Sequence, residues 1–179
     1  MAGQRNVYLI GPMGSGKTAV GRRLAALLGK QFVDSDAEIE KRTGVDIRYI
    51  FEKEGESKFR EREREVIAEL TALESVVVAT GGGVILDARN RERLAATGIV
   101  VYLETNIDTL VRRTRAAKTR PLLMNDDPRT VLERLMVIRR PLYESAADVR
   151  VETTGRQVRA VAADIQQRLV ERVANESPS

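Results

Sequence analysis

A glycine-rich stretch near the N-terminus constrains the fold of this chain more than any other feature. Residues 11–18 read G-P-M-G-S-G-K-T and satisfy the pattern G-x-x-x-x-G-K-[ST] at every fixed position. A short apolar run at residues 7–10 precedes the stretch, and apolar residues at helical spacing follow it as far as Gly29. A strand, a glycine loop and a helix in this order predict a phosphate-binding loop; the alternative is a structural turn between strand and helix.

The residue types of this stretch suit a polyphosphate ligand. Glycine lets the backbone turn tightly and bring several N–H donors close to one point, and the following helix N-terminus favours anions. The pattern predicts that Lys17 reaches the β- and γ-phosphates and that the Thr18 hydroxyl ligates Mg²⁺. The residues predicted to bind the nucleotide phosphates are Gly14, Ser15, Gly16, Lys17, Thr18 and Ala19.

Composition narrows the possible chemistry. The 179 residues suit one domain, which we place at residues 1–174 with a disordered tail at 175–179. The chain has neither Cys nor His, so disulfides, thiolate metal sites and a histidine base are excluded. A catalytic base would therefore be a carboxylate, a lysine or water.

Charge and hydropathy indicate the partners. The 30 basic and 26 acidic residues give a net charge of only +4, which suits small anionic ligands and argues against nucleic acid. The chain has no signal-peptide pattern, and no apolar stretch approaches the ~18 residues that span a bilayer. We expect a cytoplasmic monomer with small-molecule substrates, without nucleic acid or membrane partners.

Strand and helix patterns alternate along the chain five times. The predicted strands lie at residues 7–10, 31–34, 76–79, 99–103 and 149–151. This alternation predicts an α/β fold with a parallel sheet and helices on both faces, and ligands beyond the carboxyl ends of the strands. Residues 11–18, 34–36 and 80–83 all follow strands, so three candidate sites converge at one edge.

Two carboxylates follow the second predicted strand, at Asp34 and Asp36. They can hold a metal and orient a nucleophile beside a phosphate loop, or one can simply cap the next helix while the other is solvated. Three glycines at residues 81–83 follow the next strand and favour a backbone surface for a ligand over a plain loop.

Three helical predictions concern later parts of the chain. Residues 58–65 alternate basic and acidic side chains, which indicates a solvated face with pairs such as Glu56–Arg60 and Arg62–Glu65. A helix capped by Asp127 is predicted to end near Ile138, with Val131, Leu135 and Ile138 on its buried face. Thr154 is predicted to cap the last helix.

Taken together, the motifs resemble those of the shikimate kinase family over roughly residues 5–170. The resemblance is carried, in order, by G-P-M-G-S-G-K-T, D-S-D-A-E-I-E, F-R-E-R-E, A-T-G-G-G, T-R-P-L-L and R-R-P-L-Y. It implies a three-layer P-loop kinase fold with a five-stranded parallel sheet in the order 2-3-1-4-5. It also implies transfer of the ATP γ-phosphoryl group to the 3-hydroxyl of shikimate, in the aromatic amino-acid pathway, with ATP and Mg²⁺ required.

The resemblance further implies where each ligand lies. It implies a lid at about 114–127 and a shikimate-binding helical region at about 35–62. The residues implied to be catalytic are Lys17, Asp36 and Arg120. Those implied to bind shikimate are Asp36, Arg60, Gly81, Gly82 and Arg139. Those implied to serve the nucleotide beyond the loop are Arg113, Arg120 and Arg156, with Thr18 and Asp34 at the metal.

Within that set, Asp36 would bind the substrate hydroxyl and act as base, and Arg60 and Arg139 would clamp the carboxylate. Three other functions stay open from the residues alone. They are a P-loop kinase for another small molecule such as gluconate or a nucleoside monophosphate, a nucleotide-binding switch, and a nucleic-acid-stimulated ATPase.

Overall fold

A computed structural model describes residues 5–116 and 127–177 of the chain. These ranges contain five strands, eight α-helices and a short 3-10 helix at Val84–Leu86. The strands are β1 (Asn6–Ile10), β2 (Gln31–Asp34), β3 (Val76–Ala79), β4 (Gly98–Glu104) and β5 (Val149–Glu152). The helices are α1 (Lys17–Leu28), α2 (Ser35–Thr43), α3 (Ile47–Glu54), α4 (Glu56–Leu70), α5 (Ala88–Thr97), α6 (Ile107–Ala116), α7 (Pro128–Ala146) and α8 (Val158–Glu176).

The five strands form one parallel sheet in the order β2-β3-β1-β4-β5. The parallel sheet confirms the prediction from the alternating strands and helices, and the strand order confirms what the resemblance implies. The central strand β1 pairs Leu9 with Ala79 on one side and with Val101 on the other. Because all strands run the same way, the ends of β1, β2 and β3 bring their following loops to one edge of the sheet.

Alternate residues of the strands face two separate apolar layers. Tyr8, Val78 and Val100 pack with helices of one face, whereas Val7, Leu9 and Val101 pack with α1 and α8 on the other. The period of two along each strand sends neighbouring side chains to opposite faces, so continuous apolar runs are needed where both faces are covered. A third, smaller apolar cluster joins α6 to α7.

Helix α7 is longer than predicted. It continues through Pro141 to Ala146, so the predicted end near Ile138 was wrong, and Ile138 itself is 64% exposed instead of buried. Val131 is buried and Leu135 is partly buried, as predicted, and the other buried side chains are Leu132, Met136, Arg139 and Tyr143. A proline usually stops a helix because it removes one backbone donor. Here Pro141 lies on the exposed side, where water is available to replace that bond.

Two further expectations differ from the structure. Thr154 does not cap α8; its hydroxyl accepts a hydrogen bond from the Asn106 backbone N–H at 3.0 Å, and α8 begins only at Val158. At the other end, α8 extends to Glu176, two residues into the segment predicted as tail. Arg172 pairs with Glu176 one turn later at 3.2 Å, which favours that last turn.

No helix in the described ranges is both long and apolar enough to cross a bilayer.

Candidate active site

One cavity of about 770 Å³ opens at the carboxyl edge of the sheet. Every predicted site residue within the described ranges lines it. From the phosphate loop and α1 these are Gly14, Ser15, Gly16, Lys17, Thr18 and Ala19; from elsewhere they are Asp34, Asp36, Arg60, Gly81, Gly82, Arg113, Arg139 and Arg156. The convergence predicted from strand ends is therefore present as a single cavity.

The backbone of the phosphate loop adopts conformations at positive φ that glycine allows. Gly11, Gly14 and Gly16 have φ values of 147°, 82° and 92°, which side-chain-bearing residues rarely adopt. Lys17 is buried, and its Nζ donates to the Gly11 and Pro12 carbonyl oxygens at 2.6 and 2.8 Å. These bonds hold the ammonium group inside the curve of the loop, where a phosphate would meet it.

Thr18 and Asp34 join the loop to the end of β2. The Thr18 hydroxyl donates to Asp34 Oδ2 at 2.6 Å. The other Asp34 oxygen accepts from the Asp36 and Ala37 backbone N–H groups at 2.9 and 3.1 Å, so Asp34 is the N-cap of α2. The helix-cap interpretation and the metal interpretation therefore use different oxygens of the same carboxylate.

Asp36 lies directly against the glycine loop after β3. A Cβ added to Gly81 would lie 2.5 Å from Asp36 Oδ1, so only glycine lets the carboxyl group take this place. The Gly81 backbone N–H donates to the buried hydroxyl of Ser35 at 2.9 Å. Ser35 thus fixes the glycine loop beside Asp36, a role that the sequence did not indicate.

Arg60 turns towards the cavity rather than into solvent. Its side chain is 20% exposed, and it donates to Glu63 at 2.9 Å and to Glu56 at 3.3 Å.

The Glu56–Arg60 pair confirms one predicted contact. The predicted Arg62–Glu65 pair is replaced by Arg62–Glu54 at 2.8 Å, because the break at Gly55 brings Glu54 beside the next helix.

Arg139 approaches the same region from α7. It is 4% exposed, and its guanidinium would contact a Cβ placed on Gly82 at 3.5 Å. That same Cβ would lie 3.4 Å from the Met13 backbone nitrogen in the phosphate loop. Gly82 therefore lies between the phosphate loop and the Arg139 guanidinium, and a side chain at this position would contact both.

Glu63 is a site residue that the sequence reasoning missed. It lines the cavity, is 1% exposed, and bonds to Arg60 through one oxygen. Burial raises the pKa of its carboxyl group to about 7, although the charge and hydrogen bond of Arg60 act to lower it. The nearby charge of Asp36 raises the pKa further.

Tyr143 is the second residue that was missed. It is 1% exposed, stacks on Tyr102 with ring centroids 5.1 Å apart, and donates its hydroxyl to the Gly82 carbonyl at 2.6 Å. Because Tyr143 follows Arg139 by one helical turn, this bond fixes the glycine loop relative to the helix that carries the arginine.

The remaining arginines of the cavity come from α6 and from the segment between β5 and α8. Arg113 donates to the Gly14 carbonyl at 2.7 Å, so α6 is tied to the phosphate loop. Arg156 donates to the Glu152 carbonyl and to Asp164 at 2.9 and 3.0 Å. The exposed side chain of Val158 lies on the same rim and adds an apolar surface. Two guanidinium groups and an apolar side chain suit a flat aromatic base.

Arg120 and most of the predicted lid fall outside the described residues. Of residues 114–127, the structure includes Thr114 to Ala116 at the end of α6 and Asp127, which caps α7.

The chain is similar to known proteins over nearly its whole length. A family model described as "Shikimate kinase" matches residues 13–170. A shikimate kinase of Pseudoalteromonas atlantica is 56% identical over 165 residues, which cover 92% of this chain and 96% of that protein.

Solved structures of shikimate kinases are also similar to this chain. Shikimate kinase from Acinetobacter baumannii in complex with shikimate has a TM-score of 0.92 at 50% identity, with 94% of both chains covered. Shikimate kinase from Aquifex aeolicus has a TM-score of 0.82 at 34% identity, covering 94% of this chain and 98% of that one.

Proposed function

The chain belongs to the shikimate kinase family, and we propose that the cavity at the carboxyl edge of its sheet holds ATP and shikimate side by side for direct phosphoryl transfer. The enzyme transfers the γ-phosphoryl group of ATP to the 3-hydroxyl of shikimate, which yields shikimate 3-phosphate and ADP. One observation carries the proposed arrangement: Gly82 lies between Met13 of the phosphate loop and Arg139. A phosphate on the loop and an acid on the arginine would then be close neighbours.

The nucleotide end of the cavity is assigned to the phosphate loop. Backbone N–H groups of residues 14–19 surround the phosphates, and the Lys17 ammonium exchanges its bonds to the loop carbonyls for phosphate oxygens. The adenine base lies between Arg113 and Arg156. The ion pair of Arg156 with Asp164 holds its guanidinium plane in place for stacking.

Thr18 and Asp34 fit a magnesium ion. Mg²⁺ prefers oxygen ligands, and it is commonly held by one or two protein groups together with substrate phosphates rather than by a full protein cage. The hydroxyl and carboxylate oxygens here are 2.6 Å apart, and the described residues contain no group of three or more acidic side chains placed to hold a metal ion. When bound, the ion would neutralise developing charge on the phosphates.

The acid substrate is assigned to the opposite end. Two planar guanidinium groups, of Arg60 and Arg139, suit one carboxylate because each can donate two hydrogen bonds. Asp36 accepts the proton of the attacking hydroxyl and orients it. The transition state is loose, so positioning and charge stabilisation contribute more than base catalysis, and the lack of histidine costs the mechanism nothing.

Some proposals rest on the sequence alone. We propose that Arg120 contacts the transferred phosphate from a lid at about 114–127, and that the helical region at 35–62 forms the shikimate side. We also propose that the enzyme is a cytoplasmic monomer. Light scattering can measure its mass in solution.

Conservative substitutions test the acid clamp. Arg60→Lys and Arg139→Lys keep the charge but lose the two-pronged contact, so each should weaken shikimate binding about tenfold to a hundredfold, the worth of a charged hydrogen bond. The measurement is calorimetric titration with shikimate. Arg62→Lys, on the same helix and paired with Glu54, is the matched control and should bind as the wild type does. Normal binding by both test variants would place the clamp elsewhere.

A further inference from the structure

Glu63 is an acidic side chain buried among the groups that are proposed to hold an acid. It is 1% exposed and extends from α4 into the cavity. Oε1 accepts from Arg60 at 2.9 Å, whereas Oε2 is buried and has no hydrogen-bond partner among the described residues. A carboxylate with one bare oxygen in a buried place is costly to keep charged.

The charged groups around Glu63 come from three helices. Arg60 lies one turn earlier on the same helix, Asp36 acts from α2, and Arg139 acts from α7. Tyr143, also on α7, adds no charge, because burial raises the pKa of its hydroxyl, which donates to Gly82. On the far side of Arg60, Glu56 accepts from the other guanidinium nitrogen.

Near neutral pH, the charged and protonated forms of the Glu63 carboxyl group are close in free energy. Burial raises the pKa of Glu63 to about 7, and Asp36 opposes the two arginines. The carboxyl group is therefore protonated in a substantial fraction of molecules at neutral pH. A small change in the nearby charge decides which form prevails.

An incoming carboxylate is such a change. Held between Arg60 and Arg139, it places a second negative charge beside Glu63 and competes for the Arg60 hydrogen bonds. Both effects disfavour the Glu63 carboxylate. The protonated form relieves the repulsion and releases the Arg60 nitrogen to the substrate.

We propose that binding of the shikimate carboxylate is coupled to uptake of a proton by Glu63. The proton comes from solvent and forms an O–H bond on a Glu63 oxygen, and no other bond is made or broken. Glu63 acts as a positioning residue through Arg60 and does not touch the reacting atoms. This inference rests on the proposed function, since it requires the acid to lie between the two arginines.

The coupling has a measurable consequence for affinity. If a proton is taken up on binding, affinity falls as pH rises, by up to about tenfold per pH unit when a whole proton is bound. The fall should be largest above pH 7, where free Glu63 is charged. Glu63→Gln has no titrating group and cannot take up this proton, so its affinity should vary much less with pH.

Calorimetric titration of the whole protein with shikimate tests the proposal. It is run at about pH 6 and about pH 8 in two buffers of different ionisation enthalpy, because buffer-dependent heat counts the protons bound. We expect uptake approaching one proton at the higher pH for the wild type and little for Glu63→Gln. Glu65→Gln, an exposed glutamate on the same helix, is the control and should keep the uptake.

Each of the other outcomes would overturn a stated part of the proposal. Binding by the wild type with no buffer-dependent heat would overturn the coupling and leave the acid clamp intact. Uptake that persists in Glu63→Gln would assign the proton to another group and overturn the role of Glu63. No shikimate binding by the wild type at any pH would overturn the proposed site and the coupling together. The wild-type measurement decides the first point even if Glu63→Gln does not fold.

Discussion

At the scale of single residues, the same side chain often serves both the fold and the site. Asp34 caps α2 with one oxygen and accepts from Thr18 with the other. Its neighbour Asp36 is held against Gly81, where no side chain larger than hydrogen fits. Substitutions that keep shape but remove charge can separate these roles.

Asp36→Asn should retain binding of ATP with Mg²⁺ but lose turnover by about 10²–10⁴-fold, the usual range for a positioned base. The loose transition state favours the lower end of that range. The measurement is kcat at saturating substrates, together with ATP affinity by titration. Unchanged turnover would return the Asp36 carboxylate to a purely structural role.

Asp34→Asn is the paired variant, and it should behave differently. Asparagine caps helices as well as aspartate does, so the fold should persist, and turnover should demand more Mg²⁺. Raising Mg²⁺ should therefore partly rescue Asp34→Asn and fail to rescue Asp36→Asn. The opposite pattern in kcat against Mg²⁺ concentration would reverse the two assignments.

Glu63 also links stability to pH. Its pKa is raised from the ordinary value of 4.5 to about 7, so the stability it contributes is complete below about pH 4.5 and is lost as pH rises through 7. The free energy of unfolding of the wild type, relative to Glu63→Gln, should fall by up to about 3 kcal/mol across this window. Urea unfolding of both proteins at several pH values measures it. A constant difference would mean that the folded-state pKa is not raised.

At the scale of elements, α7 does the most to complete the site. Arg139 and Tyr143 lie one turn apart on its buried side, and Tyr143 contacts both Tyr102 of β4 and Gly82. A helix that ended at Ile138, as the sequence suggested, would leave both side chains without a fixed direction. Continuation through Pro141 is therefore what orients the arginine.

Tyr143→Phe tests this element directly. The ring keeps its place in the core, but the Gly82 carbonyl loses its hydrogen bond, so the glycine loop and Arg139 are less well fixed relative to each other. We expect a lower kcat/KM for shikimate, by about tenfold, with a loss of about 1–2 kcal/mol in the free energy of unfolding. Tyr102→Phe keeps the same ring stack and the Gly82 bond, and serves as control. Equal effects of the two variants would contradict the positioning role.

At the scale of the whole molecule, the sequence predicts the sheet well because its signals are local. Continuous β-branched runs such as Val76–Ala79 suit buried strands, and glycines at positive φ end α1 and α2. The loop at residues 11–18 could be predicted because its chemistry depends on residues adjacent in sequence. The convergence of strand ends then follows from parallel topology.

The missed residues depended on contacts between distant segments. Glu63 looks like one charge among many, although it lies four residues after Phe59 and three before Val66, on the apolar stripe of α4. A charged residue on an apolar stripe of a helix was the signal in the sequence that could have indicated a buried site residue. Tyr143 gave no such signal, because its partners lie 41 and 61 positions earlier, in β4 and the glycine loop.

The proposed function requires transfer of a phosphoryl group from ATP to shikimate in this cavity, and release of ADP measures that transfer. The purified protein is supplied with ATP and Mg²⁺, with and without shikimate, and with gluconate or a nucleoside monophosphate in its place. Lys17→Met, which removes the ammonium group from the phosphate loop, is the control for contaminating kinases. We predict ADP release that depends on shikimate and is abolished in Lys17→Met. Release that shikimate does not stimulate, or that persists in homogeneous Lys17→Met protein, would contradict the account.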